Sequence, residues 1–121
     1  METAEARFLE MIFPEQTNHY GTLFGGNGLA LMSKAAFVAA TRRARRAVVM
    51  AASERVDFDV PVRLGEILDL VAHVERVGRS SMTVTVTATA EDLKSGARRP
   101  ARRGRFEMVA VDDDGRPTPI P

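Results

Sequence analysis

The residues best placed to do chemistry form a Gly-rich loop that leads into a predicted helix. Residues 17–26 end in Gly25 and Gly26 and continue directly into a long apolar segment. The first turn of a helix carries unpaired backbone N–H groups and the positive end of the helix dipole, so it can polarise a carbonyl or hold an anion. Two glycines also permit a tight turn and close packing, so the pair alone leaves both interpretations open.

A carboxylate, Glu54, is the second candidate. It interrupts an alternating apolar pattern within residues 48–58. If the alternation holds, Glu54 faces apolar surroundings, which would suit a carboxyl group to acid–base chemistry. A one-residue bulge would instead turn it toward solvent.

Charged and aromatic residues argue against nucleic acid and metal as partners. The densest basic run, residues 98–105, could attract phosphates together with residues 42–46. The chain has one Tyr and no Trp for base stacking, and no nucleic-acid motif accompanies the arginines. His19 and His73 have no metal-ligand spacing, so we expect no metal site.

Composition excludes several further classes. With 121 residues and 13.2 kDa, we expect a single domain over residues 1–121. The absence of Cys excludes disulfides, iron–sulfur clusters, thiolate zinc sites and Cys nucleophiles. The net charge of +1 gives no whole-chain attraction to DNA or membranes. No run approaches the ~20 apolar residues of a membrane helix, no secretory signal is visible, and we expect a cytoplasmic protein.

Hydrophobic periodicity predicts one long helix followed by strands. Residues 24–46 contain no proline and are apolar on nearly every side, apart from a polar stripe of Asn27, Lys34 and Thr41. The period then changes to two and predicts four strands, whose inward faces fall within residues 48–60, 68–74, 82–90 and 106–110. The short connections favour antiparallel pairing. One sheet face cannot cover such a helix, so the sheet must curl or a second subunit must close the other side, and we expect an obligate oligomer.

Residues 13–26, FPEQTNHYGTLFGG, resemble the N-terminal signature of the hotdog-fold acyl-CoA thioesterases, in the cytosolic acyl-CoA hydrolase group. The resemblance continues in order through residues 55–58, 60–62, 65–66, 77–81 and 109–112 and covers nearly the whole chain. Its most specific part is Asn-x-x-Gly-x-x-x-Gly-Gly, which begins at Asn18.

This resemblance implies an α+β hotdog fold, in which an antiparallel sheet wraps around one long central helix. It also implies dimers with active sites at the subunit interface, often assembled as trimers of dimers. In the family, the helix start polarises the thioester carbonyl, while a loop Asn and a helix carboxylate from the opposite subunit assist attack. The corresponding groups here are the amide of Gly26, beside Gly25, and the side chain of Asn18, which would orient water or the oxyanion.

The resemblance further implies a coenzyme A site. The turn containing Arg79 and Ser80 would lie near the nucleotide end of the coenzyme, with Arg103 assisting. Coenzyme A is part of the substrate, so no separate cofactor is expected.

One position departs from the family pattern. The helix Asp that follows a Met in the family corresponds here to Ser33. A carboxylate is a base or nucleophile near neutral pH, whereas a hydroxyl needs a neighbouring base. Three alternatives remain: the chain is a weakened or inactive member or a deliberate Asp-to-Ser variant, another carboxylate such as Glu54 substitutes, or Ser33 is itself a nucleophile. Its hydroxyl could also simply bond to the Leu29 carbonyl.

The sequence therefore predicts an acyl-CoA thioesterase that releases free acid and coenzyme A, with reduced or altered catalysis. The alternative is a non-catalytic acyl-CoA-binding protein. A hotdog hydratase is disfavoured, because those enzymes use a His with an acid near the helix start, and His19 lies in the loop.

Overall fold

The computed structural model describes residues 5–58 and 60–121 and contains five strands and one long helix. In chain order these elements are β1 (Glu5–Met11), α1 (Gly25–Ala44), β2 (Val48–Phe58), β3 (Ile67–Val77), β4 (Ser81–Glu91) and β5 (Arg98–Ala110). A short 3-10 turn at Pro14–Gln16 precedes the loop that leads into α1.

The strands form one sheet in the order β1-β3-β4-β5-β2, and every neighbouring pair is antiparallel. The predicted antiparallel pairing is confirmed. Period-two alternation sets the face of β4, since Met82, Val84, Val86, Ala88 and Ala90 are buried on the side that α1 covers.

The structure has one strand more than the four predicted, and β5 is longer than the apolar face that predicted it. The residues before the loop form β1 as a fifth strand, which pairs with β3 from Glu5 opposite His73 to Met11 opposite Ile67. Its charged residues hide the pattern because they alternate with Ala6, which faces the core. Similarly, β5 begins at Arg98 rather than near Phe106, since the basic run itself is extended chain.

Small side chains bring α1 close to the sheet. Its buried side consists of Gly28, Met32, Ala35, Ala36, Ala39, Ala40 and Ala44. The other side is wider and less polar than the predicted stripe. Lys34 is exposed, but Asn27 and Thr41 are half-buried, and the ring of Phe37 is 47% exposed. A single sheet covers only one side of the helix, so an apolar surface remains open.

Within the described residues, no helix combines the length and the hydropathy needed to cross a membrane.

Candidate active site

Backbone hydrogen bonds hold the Gly-rich loop against the start of α1. An isolated bridge joins Thr17 to Leu23, and the Leu23 amide donates to the Val62 carbonyl at 2.7 Å. The Gln16 carbonyl accepts from the Phe24 amide at 2.9 Å and from the Asn27 side chain at 3.1 Å. The loop and the first helical turn therefore form one rigid unit.

Asn18 uses its side-chain oxygen to shape this loop. Oδ1 accepts from the Tyr20 amide at 2.9 Å and from both the amide and the hydroxyl of Thr22 at 3.2 Å. Nδ2 has no hydrogen-bond partner in the part of the chain that is described. Asn18 can therefore offer a substrate a donor, held in place by its own acceptor.

The first turn of α1 has no side-chain cap and no acidic residue. The Gly28 amide is the first to bond within the helix, to the Phe24 carbonyl at 3.1 Å. The preceding amides, those of Gly25, Gly26 and Asn27, belong to the first turn, where helical partners are lacking. Gly26 is exposed, so its amide can approach a ligand oxygen.

Ser33 is half-buried, and its hydroxyl donates to the Leu29 carbonyl at 2.9 Å, which is one of the alternatives that the sequence left open. Seven residues separate Gly26 from Ser33, so the two lie on the same side of α1 but about 10 Å apart along its axis. One thioester carbon cannot contact both residues of the same chain.

The apolar setting expected for Glu54 is wrong, because β2 contains a bulge. The register with β5 shifts between Met50 and Ala52, and again between Glu54 and Asp57. Opposed residues share a face, and Ser53 opposes the buried Phe106, whereas Glu54 opposes the exposed Arg105. The bulge therefore turns Glu54 to the outer face, where it is exposed.

The outer face also holds Arg103, which is exposed and lies 4.0 Å from the carboxylate of Asp57. An open cleft of about 680 Å³ on this face is lined by Glu54, Arg55, Asp57, Glu75, Thr85, Arg103, Gly104 and Arg105. Arg103 and Glu54 are thus brought together, but on the face of the sheet opposite to α1.

Arg79 and Ser80 lie at the other end of the helix. The Ser80 carbonyl accepts from the Ala110 amide at 2.8 Å, and the next residue, Val111, donates to the Ala47 carbonyl at 2.9 Å, just beyond the end of α1. A 20-residue helix is about 30 Å long. Within one chain, the turn is therefore not brought together with Gly25 and Gly26.

A residue that sequence reasoning missed, Arg102, lies beneath the start of α1. It is 5% exposed, and its guanidinium stacks over the Phe58 ring at 4.4 Å from the centroid. Nη1 lies 3.4 Å from the Gly25 carbonyl oxygen, Nη2 lies 3.5 Å from that of Leu23, and the buried Nε has no partner among residues 5–58 and 60–121. Burial lowers the pKa of this guanidinium from its ordinary value.

Gly28 makes room for that guanidinium, since a Cβ at this position would lie 2.1 Å from Nη1. The alternation of inward-facing and outward-facing residues along β5 could have indicated the burial of Arg102. Counting back from Phe106 by twos reaches Gly104 and then Arg102 on the inward face.

Comparison of this chain with known proteins finds a matching family model and similar sequences. Residues 20–97 match the family model of the thioesterase superfamily. YkhA of Bacillus subtilis, an uncharacterized acyl-CoA thioester hydrolase, is 36% identical over the whole of this chain and 75% of its own length.

Solved structures agree with this match. An acyl-CoA hydrolase from Staphylococcus aureus, in complexes with butyryl-coenzyme A and coenzyme A, has a TM-score of 0.92 and 35% identity, covering 98% of this chain and 72% of its own. An apo-hexameric acyl-CoA thioesterase reaches a TM-score of 0.95 at 36% identity, covering 98% and 76% of the two chains.

Proposed function

The chain belongs to the thioesterase superfamily, as a hotdog-fold acyl-CoA thioesterase, and on this basis we propose that it hydrolyses acyl-CoA to a free acid and coenzyme A. The observation that carries the proposal is the uncapped first turn of α1, which follows the loop that Asn18 orders, together with an Asn18 Nδ2 that has no hydrogen-bond partner among residues 5–58 and 60–121.

In this mechanism the thioester oxygen accepts hydrogen bonds from the Gly26 amide and from Nδ2 of Asn18. Water attacks the carbonyl carbon, and negative charge develops on the oxygen, where the amides and the helix dipole stabilise it. Collapse of the tetrahedral intermediate breaks the carbon–sulfur bond. The acid carries the water oxygen, and the leaving thiolate of coenzyme A takes up a proton.

The second half of the site comes from another subunit. Because Ser33 lies about 10 Å from Gly26 along one helix, only a partner's position 33 can reach the carbonyl held at Gly26. The exposed Phe37, one turn beyond Ser33, provides an apolar surface for that partner. The hexameric state of the similar thioesterase supports a homo-oligomer.

Solved variants of the S. aureus enzyme replace one Asn and one Asp by Ala. The separation of these two residues in that sequence equals the separation of Asn18 and Ser33 here. This equal spacing supports the proposals that Asn18 is a catalytic donor and that Ser33 corresponds to the Asp of the relative.

Coenzyme A binding also draws on neighbouring subunits. Arg79 and Ser80 would meet the nucleotide end of a coenzyme whose thioester is bound at another chain's helix start, since one chain holds them about a helix length apart. Arg103 on the outer face is a further cation for the phosphates.

A second function, acyl-CoA binding without hydrolysis, is favoured by one observation. The Ser33 hydroxyl is engaged with the Leu29 carbonyl, and Glu54, the alternative acid, faces the outer side of the sheet. Neither the Ser33 hydroxyl nor the Glu54 carboxylate is then positioned to act as a base in the site.

Thiol release from acyl-CoAs of several chain lengths tests the two functions on the given chain, on Ser33→Asp and on Ser33→Asn, with oligomer size verified. We expect Ser33→Asp to be faster by about 10²–10⁴-fold, the usual contribution of a general base, and Ser33→Asn, its uncharged control, to show no gain. If the given chain is already fast and Asp adds nothing, another group carries the chemistry. If neither chain cleaves any ester, hydrolysis is the wrong function.

A further inference from the structure

The buried guanidinium of Arg102 has no part in the hydrolysis described above. It forms no ion pair within residues 5–58 and 60–121, its contacts to the Gly25 and Leu23 carbonyls are long, and Nε has no partner. A buried charge without an opposite charge is strongly destabilising. Such a group is expected to acquire an anion.

The surroundings of Arg102 add to its positive field. The guanidinium lies under the first turn of α1, at the positive end of the dipole of a 20-residue helix. That turn contains no acidic residue, and position 33 carries a hydroxyl in place of a carboxylate. The site therefore favours a negatively charged ligand over a neutral one.

An aromatic ring covers this charge. The Phe58 ring stacks on the guanidinium at 4.4 Å from the centroid and approaches to 3.5 Å from where a Cβ of Gly25 would lie. Phe58 is more than half exposed. A cation bordered by open apolar surface matches a ligand that joins an anionic head to an aliphatic chain.

We propose that Arg102 and the first turn of α1 bind the carboxylate of an aliphatic acid, with its chain against Phe58. Nε and the weakly bonded Nη2 of Arg102 can donate two hydrogen bonds to the carboxylate. The exposed ring of Phe58 covers the guanidinium and must move aside to admit it.

The identity of this acid rests on the proposed function, because thioester hydrolysis would produce such an acid at this helix start. The free acid would then compete with acyl-CoA for the site. The acid would bind because Arg102 is positively charged, whether or not acyl-CoA is being cleaved. Binding of the product therefore does not require that the chain be a fast enzyme.

Calorimetric titration tests the site in the full chain. Butanoate, hexanoate and octanoate are compared with their uncharged amides, and coenzyme A is titrated separately as a source of phosphate. We expect the acids to bind at least ~10-fold more tightly than the amides, because two unit charges about 4 Å apart near a protein surface attract each other by more than this factor. Equal binding of acid and amide to the unaltered chain overturns the proposal without any variant.

Variants then test whether Arg102 causes the preference for the acid over its amide. Arg102→Gln should abolish it, Arg102→Lys should retain part of it, and Gly28→Ala should weaken it by displacing the guanidinium. Arg105→Gln removes the same charge from the outer face of β5 and should leave the preference intact. An unchanged preference in Arg102→Gln, or an effect of that change on coenzyme A binding alone, would contradict a carboxylate site.

Thiol release is recorded on the same samples. A chain that cleaves acyl-CoA but does not distinguish acid from amide refutes only this site. A chain that prefers the acid but cleaves nothing refutes only the proposed hydrolysis.

Discussion

Gly28 and Arg102 pack so closely that a Cβ at Gly28 would lie 2.1 Å from Nη1 of Arg102, so any side chain at this position requires the guanidinium or the helix to shift. Glycine has a low helix propensity, so its presence in the first turns of α1 weakens the helix but leaves room for the buried guanidinium. The pair links β5 to the start of α1, where the thioester is proposed to bind.

Gly28→Ala should lower the free energy of unfolding by about 1–3 kcal/mol, because the guanidinium or the helix must shift to relieve the contact. Gly25→Ala is the matched control, since its Cβ would lie an ordinary 3.5 Å from the Phe58 ring, and we expect a change within about 1 kcal/mol. Urea unfolding measures both. Equal effects of the two substitutions would show that the close approach to Arg102 has no energetic weight.

The carboxylate of Asp69 should make stability depend on pH. It is 3% exposed and accepts from Arg7 at 3.1 and 2.8 Å and from Arg98 at 2.8 Å. Its pKa lies below the ordinary value of 3.8, chiefly because Arg7 donates to it, with Arg98 adding to the effect against the opposing influence of burial.

A depressed pKa stabilises the folded state above the unfolded-state pKa, and this stabilisation is lost as the pH falls through the folded pKa. Asp69→Asn should therefore lower the free energy of unfolding at neutral pH by about 1–3 kcal/mol and flatten its decline below about pH 4. Urea unfolding across this range, with the exposed Glu15→Gln as control, provides the measurement. A parallel decline in Asp69→Asn and the unaltered chain would be inconsistent with this role.

Mixed oligomers should reveal whether the site is shared between subunits. A chain with both Asn18→Ala and Ser33→Asp is mixed with the unaltered chain, which keeps Asn18 but lacks the acid. Rapid thiol release should then come only from a site that combines the Asn18 side chain of one subunit with the carboxylate that Ser33→Asp introduces in the other. Thiol release well above that of either parent, in oligomers verified to be mixed, is expected; its absence would place both groups in one chain.

Phe37→Glu should separate the subunits, because it places a charge on the open apolar side of α1. We expect a lower mass in light scattering and a parallel loss of any thiol release. Leu93→Glu is the control, since Leu93 is similarly exposed, at 53%, but lies in the turn between β4 and β5. An unchanged mass for Phe37→Glu would show that another surface joins the subunits.

Much of the architecture was predictable from periodicity. The change from an all-apolar segment to alternating residues correctly separated α1 from the strands, and the closely spaced turns predicted antiparallel pairing. β1 was missed because Glu5, Arg7 and Glu10 dilute its apolar residues, and the arginines of β5 concealed the first part of that strand.

The candidate site was predictable only where its chemistry is local. The hydrogen bond from Ser33 to Leu29 follows from one helical turn, and the loop around Asn18 follows from its own residues. The face of Glu54 depends on an extra residue in β2, and the burial of Arg102 depends on a glycine far away in sequence. The bulge and the space at Gly28 arise from contacts between distant segments, which a single sequence does not display, although the alternation along β5 does indicate that Arg102 faces inward.

The two bulges of β2 bear on how the protein avoids uncontrolled self-association. β2 is an edge strand, and it exposes Val49 and Met50 at about half of their surface, which is the kind of apolar edge that seeds fibrils. The irregularities at residues 50–52 and 54–57 bend that edge and interrupt its row of hydrogen-bonding groups. A second strand can therefore pair over only a short, defined stretch, which favours a closed assembly over an open-ended polymer.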